Sequence, residues 1–330
     1  MSAILSEAPR QESSSARTGI VVRPLQENDL ASAESIFRLA FGTFLRAPQP
    51  ETFWADRDYV QSRWHADPKS AFAAEVDGHL VGSNFAVSWG SVGFFGPLTV
   101  HPNFWNKGIG AQLVEPVVNR LEQLNVRHMG LFTFADSAKH VGLYQRFGFW
   151  PRFLSAVMSA PVGPSENAPQ SSRFSQIPEN EQSLFLADCR TLTNDIYDGL
   201  DLSMEVRQLH TRKRGDTVFL CNGFHLRGFA ICHYGPSSEA GADACLIKFA
   251  VVRPGRDAER SFDRLLAACH RLAAEAGMSR LLAGVNVECG DAYRHLLARN
   301  FRTEMLGVNM HRPSETGYYC PEIFLLDDWR

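Results

Sequence analysis

The first half of this sequence has no cysteine. All seven, Cys189, Cys221, Cys232, Cys245, Cys269, Cys289 and Cys320, lie in the second half. An odd count without any Cys-x-x-Cys pair or zinc-ligand His/Cys spacing argues against a disulfide framework and a zinc site. The thiols are expected to be buried and reduced, which points to a cytoplasmic protein without a metal. The chain also lacks a run of about 18 apolar residues, the length a membrane helix needs. Neither sign of charge dominates: 33 Lys and Arg stand against 36 Asp and Glu, a net charge of −3. Such a balance gives no reason to expect nucleic acid or an anionic membrane as a partner. Glu7, Arg10 and Glu12 stand where a signal peptide would need apolar residues, so residues 1–18 read as a disordered lead-in. What is present is 330 residues, 45% hydrophobic and 21% charged, the composition of an ordinary globular chain with room for two domains.

A Pro-, Gly- and Ser-rich stretch at 161–172 divides the chain near its midpoint and reads as a linker between domains at 19–160 and 173–330. The two halves repeat one pattern. Strand-like runs Ser70 to Asp77 and His79 to Trp89 meet at Asp77-Gly78; Asp216 to Cys221 and Phe224 to Tyr234 meet at Asn222-Gly223. Both dipeptides favour two-residue hairpin turns with positive φ. A third apolar run follows in each half, Gly93 to Val100 and Ala244 to Val252, then His101-Pro102 and Arg253-Pro254. From there the halves align without gaps at an offset of 152 residues, as Pro102 to Pro254.

A helix comes next in both. Ile109, Leu113, Val117, Leu121 and Leu124 make one apolar face; Phe262, Leu265, Leu266, Cys269, Leu272 and Ala276 make the other, with Gly277 at a C-cap position. Pro116 falls inside the first helix and predicts a kink, the alternative being a helix that restarts there. Strands Arg127 to Phe134 and Leu281 to Val287 follow, then short helices ending in Phe147-Gly148-Phe149 and Arg299-Asn300-Phe301.

Two segments of the first half carry chemistry. In Pro97 to Ala111 (PLTVHPNFWNKGIGA) a strand runs into a loop with Gly108 and Gly110, and a helix begins at once. A helix start leaves backbone N–H groups unpaired and adds partial positive charge, while glycine lets a phosphate approach the backbone. Lys107 can add charge at the rim. Neither a GxxxxGK[ST] nor a GxGxxG pattern is present, so nucleotide and dinucleotide loops are excluded. One strand later, Ser137 to Phe149 (SAKHVGLYQRFGF) forms a helix ending in LYxxxGF.

Together these segments resemble motifs A and B of the GNAT acetyltransferases, V-x-P-x-x-[RQ]-x-x-G-x-[GA] and N-x-x-A-x-x-x-Y-x-x-x-GF, over about Ile20 to Val162. The resemblance implies an α/β (α+β) chain of two tandem GNAT-like domains, each a mixed, mostly antiparallel central sheet flanked by helices. It implies an N-acetyltransferase with acetyl-CoA as co-substrate and a small-molecule or peptide amine as acceptor. The backbone of Leu98, Thr99 and Val100 would pair with pantetheine, and the amides of Trp105, Asn106, Lys107, Gly108, Ile109, Gly110 and Ala111 would hold the pyrophosphate. Tyr144 would protonate the departing thiolate as the amine attacks directly.

Three positions depart from the pattern: Trp105 replaces Arg or Gln, Ser137 replaces Asn, and His140 replaces Ala. Ser137 still offers a hydroxyl to pantetheine; His140 reads as solvent-facing. Glu75 and Asp136 are candidate bases. The aromatics of Phe41 to Trp64 (Phe44, Phe53, Trp54, Tyr59, Trp64) divide between core and acceptor pocket.

At the 152 offset Gly108 becomes Arg260, Gly110 becomes Phe262 and Tyr144 becomes Leu296. The second half therefore reads as a degenerate copy that completes the cleft, mimics the second subunit of a dimer, or binds a regulator. The chain would be a monomer with internal pseudo-symmetry or a homodimer. A non-catalytic acyl-CoA sensor and an acyltransferase for longer acyl-CoA remain as alternatives.

Overall fold

The computed structural model describes residues 19–163, 170–223 and 225–330. The lead-in at 1–18, residues 164–169 of the expected linker, and Phe224 lie outside the described residues. In the first half the elements are β1 (Ile20–Pro24), α1 (Leu30–Phe44), α2 (Val60–Ala66), β2 (Ala71–Val76), β3 (His79–Trp89), β4 (Val92–Phe95), β5 (Thr99–Val100), α3 (Ile109–Gln123), β6 (His128–Thr133), α4 (Ala138–Gln145) and β7 (Trp150–Pro161). The second half contributes β8 (Ser172–Arg173), α5 (Glu179–Ile196), α6 (Ser203–Arg212), β9 (Gly215–Asn222), β10 (His225–Gly235), β11 (Gly241–Val252), α7 (Ala258–Glu275), β12 (Arg280–Asn286), α8 (Gly290–Ala298), β13 (Arg302–Arg312) and β14 (Leu325–Asp327).

The first hairpin turns where expected, with Asp77 at φ 51° and Gly78 at φ 77°. The second turns one residue later than the Asn-Gly pair predicts: Asn222 stays in β9 opposite His225, and Gly223 takes φ 59°. Gly277 adopts φ 73° just beyond α7, the left-handed position that glycine occupies without a Cβ clash. Helix α3 runs through Pro116 as one element, so it does not restart there. The proline leaves the Gln112 carbonyl without its helical donor. One residue on, the buried amide of Asn84 donates to the Leu113 carbonyl at 3.1 Å.

The third apolar run of the first half is not one strand. It divides into β4 and β5 around a cis Gly96–Pro97 peptide, because Pro97 has no N–H to continue a ladder. β4 pairs with β6 in parallel from Val92 to Phe94, whereas β5 pairs with β3 alone. Strands β4–β5 and β6 therefore part beyond Phe94, and a cleft opens between them.

One continuous sheet joins the halves, in the order β1-β2-β3-β4-β6-β13-β7-β12-β11-β10-β9-β8. The final strands are exchanged: β13 of the second half pairs with β6 of the first, β7 of the first pairs with β12 of the second, and β7 and β13 pair with each other. The described ends of the 161–172 stretch are part of this architecture. Pro161 closes β7, the Val162 amide donates to Ser279 at 2.8 Å, and Ser172 opens β8 opposite Phe219. The largest apolar cluster crosses the divide, carrying Trp89, Phe94 and Met158 together with Phe249, Tyr318 and Trp329.

Candidate active site

The cleft between the parted strands has a volume of about 470 Å³. Its floor is the outer side of β5. The register of β5 on β3, with the His101 amide bonded to Val81 at 2.8 Å, turns the peptide groups of Val100 away from β3. Leu98, Thr99 and Val100 all line the cleft. The indole of Trp105, which stands in place of Arg or Gln, donates to the Val100 carbonyl at 2.6 Å and ties the loop back to the strand.

Beyond the loop, Gly108 caps α3 at φ 81°, a left-handed conformation that favours glycine, and a Cβ there would meet nothing within 4 Å. Of the seven amides at 105–111, two already have partners: Trp105 donates to Pro102 at 3.1 Å and Ala111 to Gly108 at 3.2 Å. The amides of Asn106, Lys107, Gly108, Ile109 and Gly110 have none among the described residues. The run of unpartnered amides is thus shorter than the sequence suggested. A Cβ on Gly110 would meet Leu143 at 3.5 Å and Leu98 at 3.9 Å, ordinary contacts, so protein packing does not require glycine there.

The rim cation is Lys139 rather than Lys107. Lys107 rests on the Phe104 ring at 4.5 Å and is not part of the cleft wall. Lys139, in the first turn of α4, donates to the Asn106 side chain at 2.7 Å and faces the cleft. Sequence spacing gives no hint of that contact, which joins residues 33 positions apart.

Helix α4 forms the opposite wall. Tyr144 is 8% exposed, lies edge-on to Phe95 with centroids 5.8 Å apart, and lines the cleft. Burial pushes its phenol well above the usual range, so it is protonated at neutral pH. Its oxygen makes no hydrogen bond among the described residues. Ser137, at the N-cap of α4, is not brought into the cleft wall.

Nor are the two acidic candidates. Glu75 accepts hydrogen bonds from Arg23 on β1, and Asp136 is exposed outside the cleft. His140, expected to face solvent, is instead half-buried in the cleft wall against Phe44, centroids 5.0 Å apart. Burial, then Lys139, lowers its pKa below the ordinary imidazole value.

Of the six aromatics in the 41–64 segment, Phe41, Phe44, Trp54 and Tyr59 line the cleft. Phe53 stacks on Trp54 at 4.7 Å, and Trp64 donates to the Leu25 carbonyl at 3.0 Å beside a separate core cluster.

Met305, Trp329 and Arg330 of the second half complete the wall. Arg63 locks this seam. It is buried, donates to the Gly96 carbonyl at 2.5 Å and to the Arg330 carbonyl, and approaches Glu239 to 3.5 Å. Glu239 in turn pairs with the buried Lys248 at 2.8 Å.

The equivalent place in the second half is filled. Residues 97–99 correspond to Phe249 to Val251, whose edge is paired with Asp327 to Leu325 of β14. Helix α7 begins at Ala258, so Arg260 is already helical where the first half has Gly108 ahead of α3. Phe262 and Leu296 are fully buried, and Phe262 packs on Phe324 at 5.2 Å.

A parted parallel strand pair, an amide-lined loop at a helix start and a tyrosine on the facing helix are the arrangement that the motif resemblance implies. Residues 33–149 match the model of the acetyltransferase (GNAT) family, and a tandem GNAT protein is among the solved structures that share the fold of the chain. No curated protein matches the sequence.

Solved structures share the fold at low identity. A Pyrococcus horikoshii protein with a provisional acetyltransferase assignment superposes with a TM-score of 0.68 at 14% identity, covering 99% of this chain and 98% of its own. A GCN5-related N-acetyltransferase from Sphaerobacter thermophilus gives 0.58 at 15% identity, over 88% and 95%. A tandem GNAT protein from the clavulanic acid biosynthesis pathway gives 0.55 at 10% identity, over 89% and 98%. Among the described residues no helix is long and apolar enough to cross a membrane.

Proposed function

We propose that the protein is an acetyl-CoA-dependent N-acetyltransferase whose catalytic site lies in the first half. The observation that carries this reading is the group of five unpartnered amides at 106–110, in a segment that lines one cleft with the outer edge of β5 and Tyr144. Unpaired N–H groups at a helix start bind a diphosphate, and Lys139 adds a positive charge beside them. The edge of β5 pairs with the amides of pantetheine as a further strand would. This delivers the thioester to the point where β4 and β6 part.

An uncharged amine attacks the thioester carbon there, forming the C–N bond as the C–S bond breaks. The Tyr144 phenol, protonated because it is buried, supplies the proton to sulfur. In this reading the second half, at 173–330, is a structural copy without turnover, because β14 already pairs with the edge that pantetheine would need.

Two measurements test the proposal: calorimetric titration of the full chain with acetyl-CoA, and thiol release from acetyl-CoA in the presence of amines. Binding without thiol release from any amine overturns catalysis and favours a sensor; absence of binding overturns the reading as a whole. Comparing acetyl-, propionyl- and succinyl-CoA settles the donor.

A further inference from the structure

The acceptor side of the cleft has a wall of unusual uniformity. Phe41, Phe44, Trp54, Tyr59, Phe134 and Trp329 face it, and among the described residues no aspartate or glutamate side chain does. The rings are ordered against one another: Phe44 lies 5.0 Å from Phe134, Trp54 stacks with Phe41 at 6.5 Å and with Tyr59 at 5.9 Å. Trp54 is held at φ 50°, a left-handed backbone that an L-residue rarely adopts. Arg38 donates to its carbonyl at 2.7 Å, and the Arg57 guanidinium covers its ring at 4.5 Å. A bulky aromatic kept in that conformation is aimed by its surroundings.

Such a wall recognises a flat apolar body and attracts a single ammonium group through the ring faces. A polycation would find no aspartate or glutamate side chain in that wall to pair with. The proton an attacking amine must lose also finds no aspartate or glutamate side chain, since Glu75 and Asp136 lie elsewhere. One basic side chain with a free electron pair does stand in the wall. His140 precedes Tyr144 by four residues on α4, and side chains at that spacing are neighbours, about 5–6 Å apart at Cβ.

Resting on the acetyltransferase reading above, we infer that the acceptor is an arylalkyl primary amine and that His140 takes its proton. The amine nitrogen bonds to the acetyl carbon and gives one proton to the imidazole; the sulfur leaves with its electron pair and takes the Tyr144 proton. Exchange with water then returns the imidazolium and the phenolate to their starting states. The charged groups around His140 are Lys139 and Arg146 from the α4 segment and Arg330 across the cleft, with Phe44 and Phe134 packing from the other elements. Burial, and then Lys139, favour the neutral ring, the form a base must have.

The test uses the full chain with acetyl-CoA and 2-phenylethylamine, and spermine as the polycationic comparison. Thiol release should occur with 2-phenylethylamine and exceed that with spermine by at least about tenfold in kcat/KM. In His140→Gln, kcat should fall by about 100-fold, within the range of general-base catalysis, with acetyl-CoA affinity unchanged. The acid limb of the kcat–pH profile should vanish with it, and added imidazole should restore part of the rate. Unchanged kcat and pH profile in His140→Gln overturns the role of the histidine. Acetyl-CoA binding without turnover of 2-phenylethylamine, or with spermine the better substrate, overturns the acceptor class while the acetyltransferase reading stands. Failure to bind acetyl-CoA overturns that reading and this inference with it.

Discussion

The indole of Trp329, from the end of the second half, lies flat on the ring of Phe94 in the first, centroids 5.7 Å apart and planes 3° from parallel. Phe94 is the last residue of β4 to pair with β6, so the tryptophan packs at the point where the strands part. A Cβ on Gly130 would collide with the same indole at 2.0 Å. The second half thereby helps to set the shape of a cleft lined mostly by the first. Trp329→Ala should cost about 3–5 kcal/mol of stability, as large aromatic deletions from cores do. It should also lower turnover at temperatures where the variant is still folded. Urea unfolding and thiol release on one preparation check both effects.

Tyr144→Phe removes the phenolic proton and keeps the ring that packs on Phe95. The expected outcome is a fall in kcat of about 10²–10⁴-fold with calorimetric acetyl-CoA affinity preserved. Undiminished kcat would remove the tyrosine from the acid role.

Gly110→Ala separates folding from binding. The added methyl meets only ordinary contacts, and replacing glycine inside a helix by alanine stabilises by up to about 1 kcal/mol. Melting temperature should hold or rise, while acetyl-CoA affinity drops by about tenfold, which is ~1.4 kcal/mol. Equal affinity for the two proteins would show that the pyrophosphate does not approach this backbone.

His128 and His311 meet across the exchanged strands, Nε2 to Nδ1 at 3.1 Å, both buried. Burial lowers His128 to about 4; burial, then His128, lowers His311 to about 3. The unfolded chain binds these protons from about pH 6.5 downward and the folded chain does not, so stability falls as pH drops from 6.5 towards 4. Each ring contributes up to roughly 1.4 kcal/mol per pH unit in that window. Urea midpoints at pH 7.5, 6 and 5 should fall in order. The imidazole carbon shifts of both residues should stay those of neutral rings at pH 5.

Strand exchange makes each half depend on the other. With β13 absent, β6 and β7 both lose a paired neighbour, and without β7 the same holds for β12. Residues 19–163 alone, or 170–330 alone, should fail to give a cooperative unfolding transition. Co-expressed as two chains they should co-purify and bind acetyl-CoA. Independent folding of either half would contradict this.

Local chemistry determined a large part of this protein. Apolar periodicity placed α3 and α7, Asp77-Gly78 placed its turn, and Gly108, Gly110 and Tyr144 stand on the walls of one cleft because motif spacing along a strand, loop and helix is a local property. The loss of glycine and tyrosine at Arg260, Phe262 and Leu296 was legible for the same reason. Other features depend on partners far away in the chain, which no window of sequence contains. Lys139 reaches Asn106 and Arg63 reaches the Arg330 carbonyl only after folding. His140 faces the cleft because α1 brings Phe44 over it. The exchange of β7 with β13 and the pairing of β14 with β11 are choices among strands of similar apolar character. Backbone hydrogen bonds carry no residue code, so packing of the whole sheet decides which edge meets which.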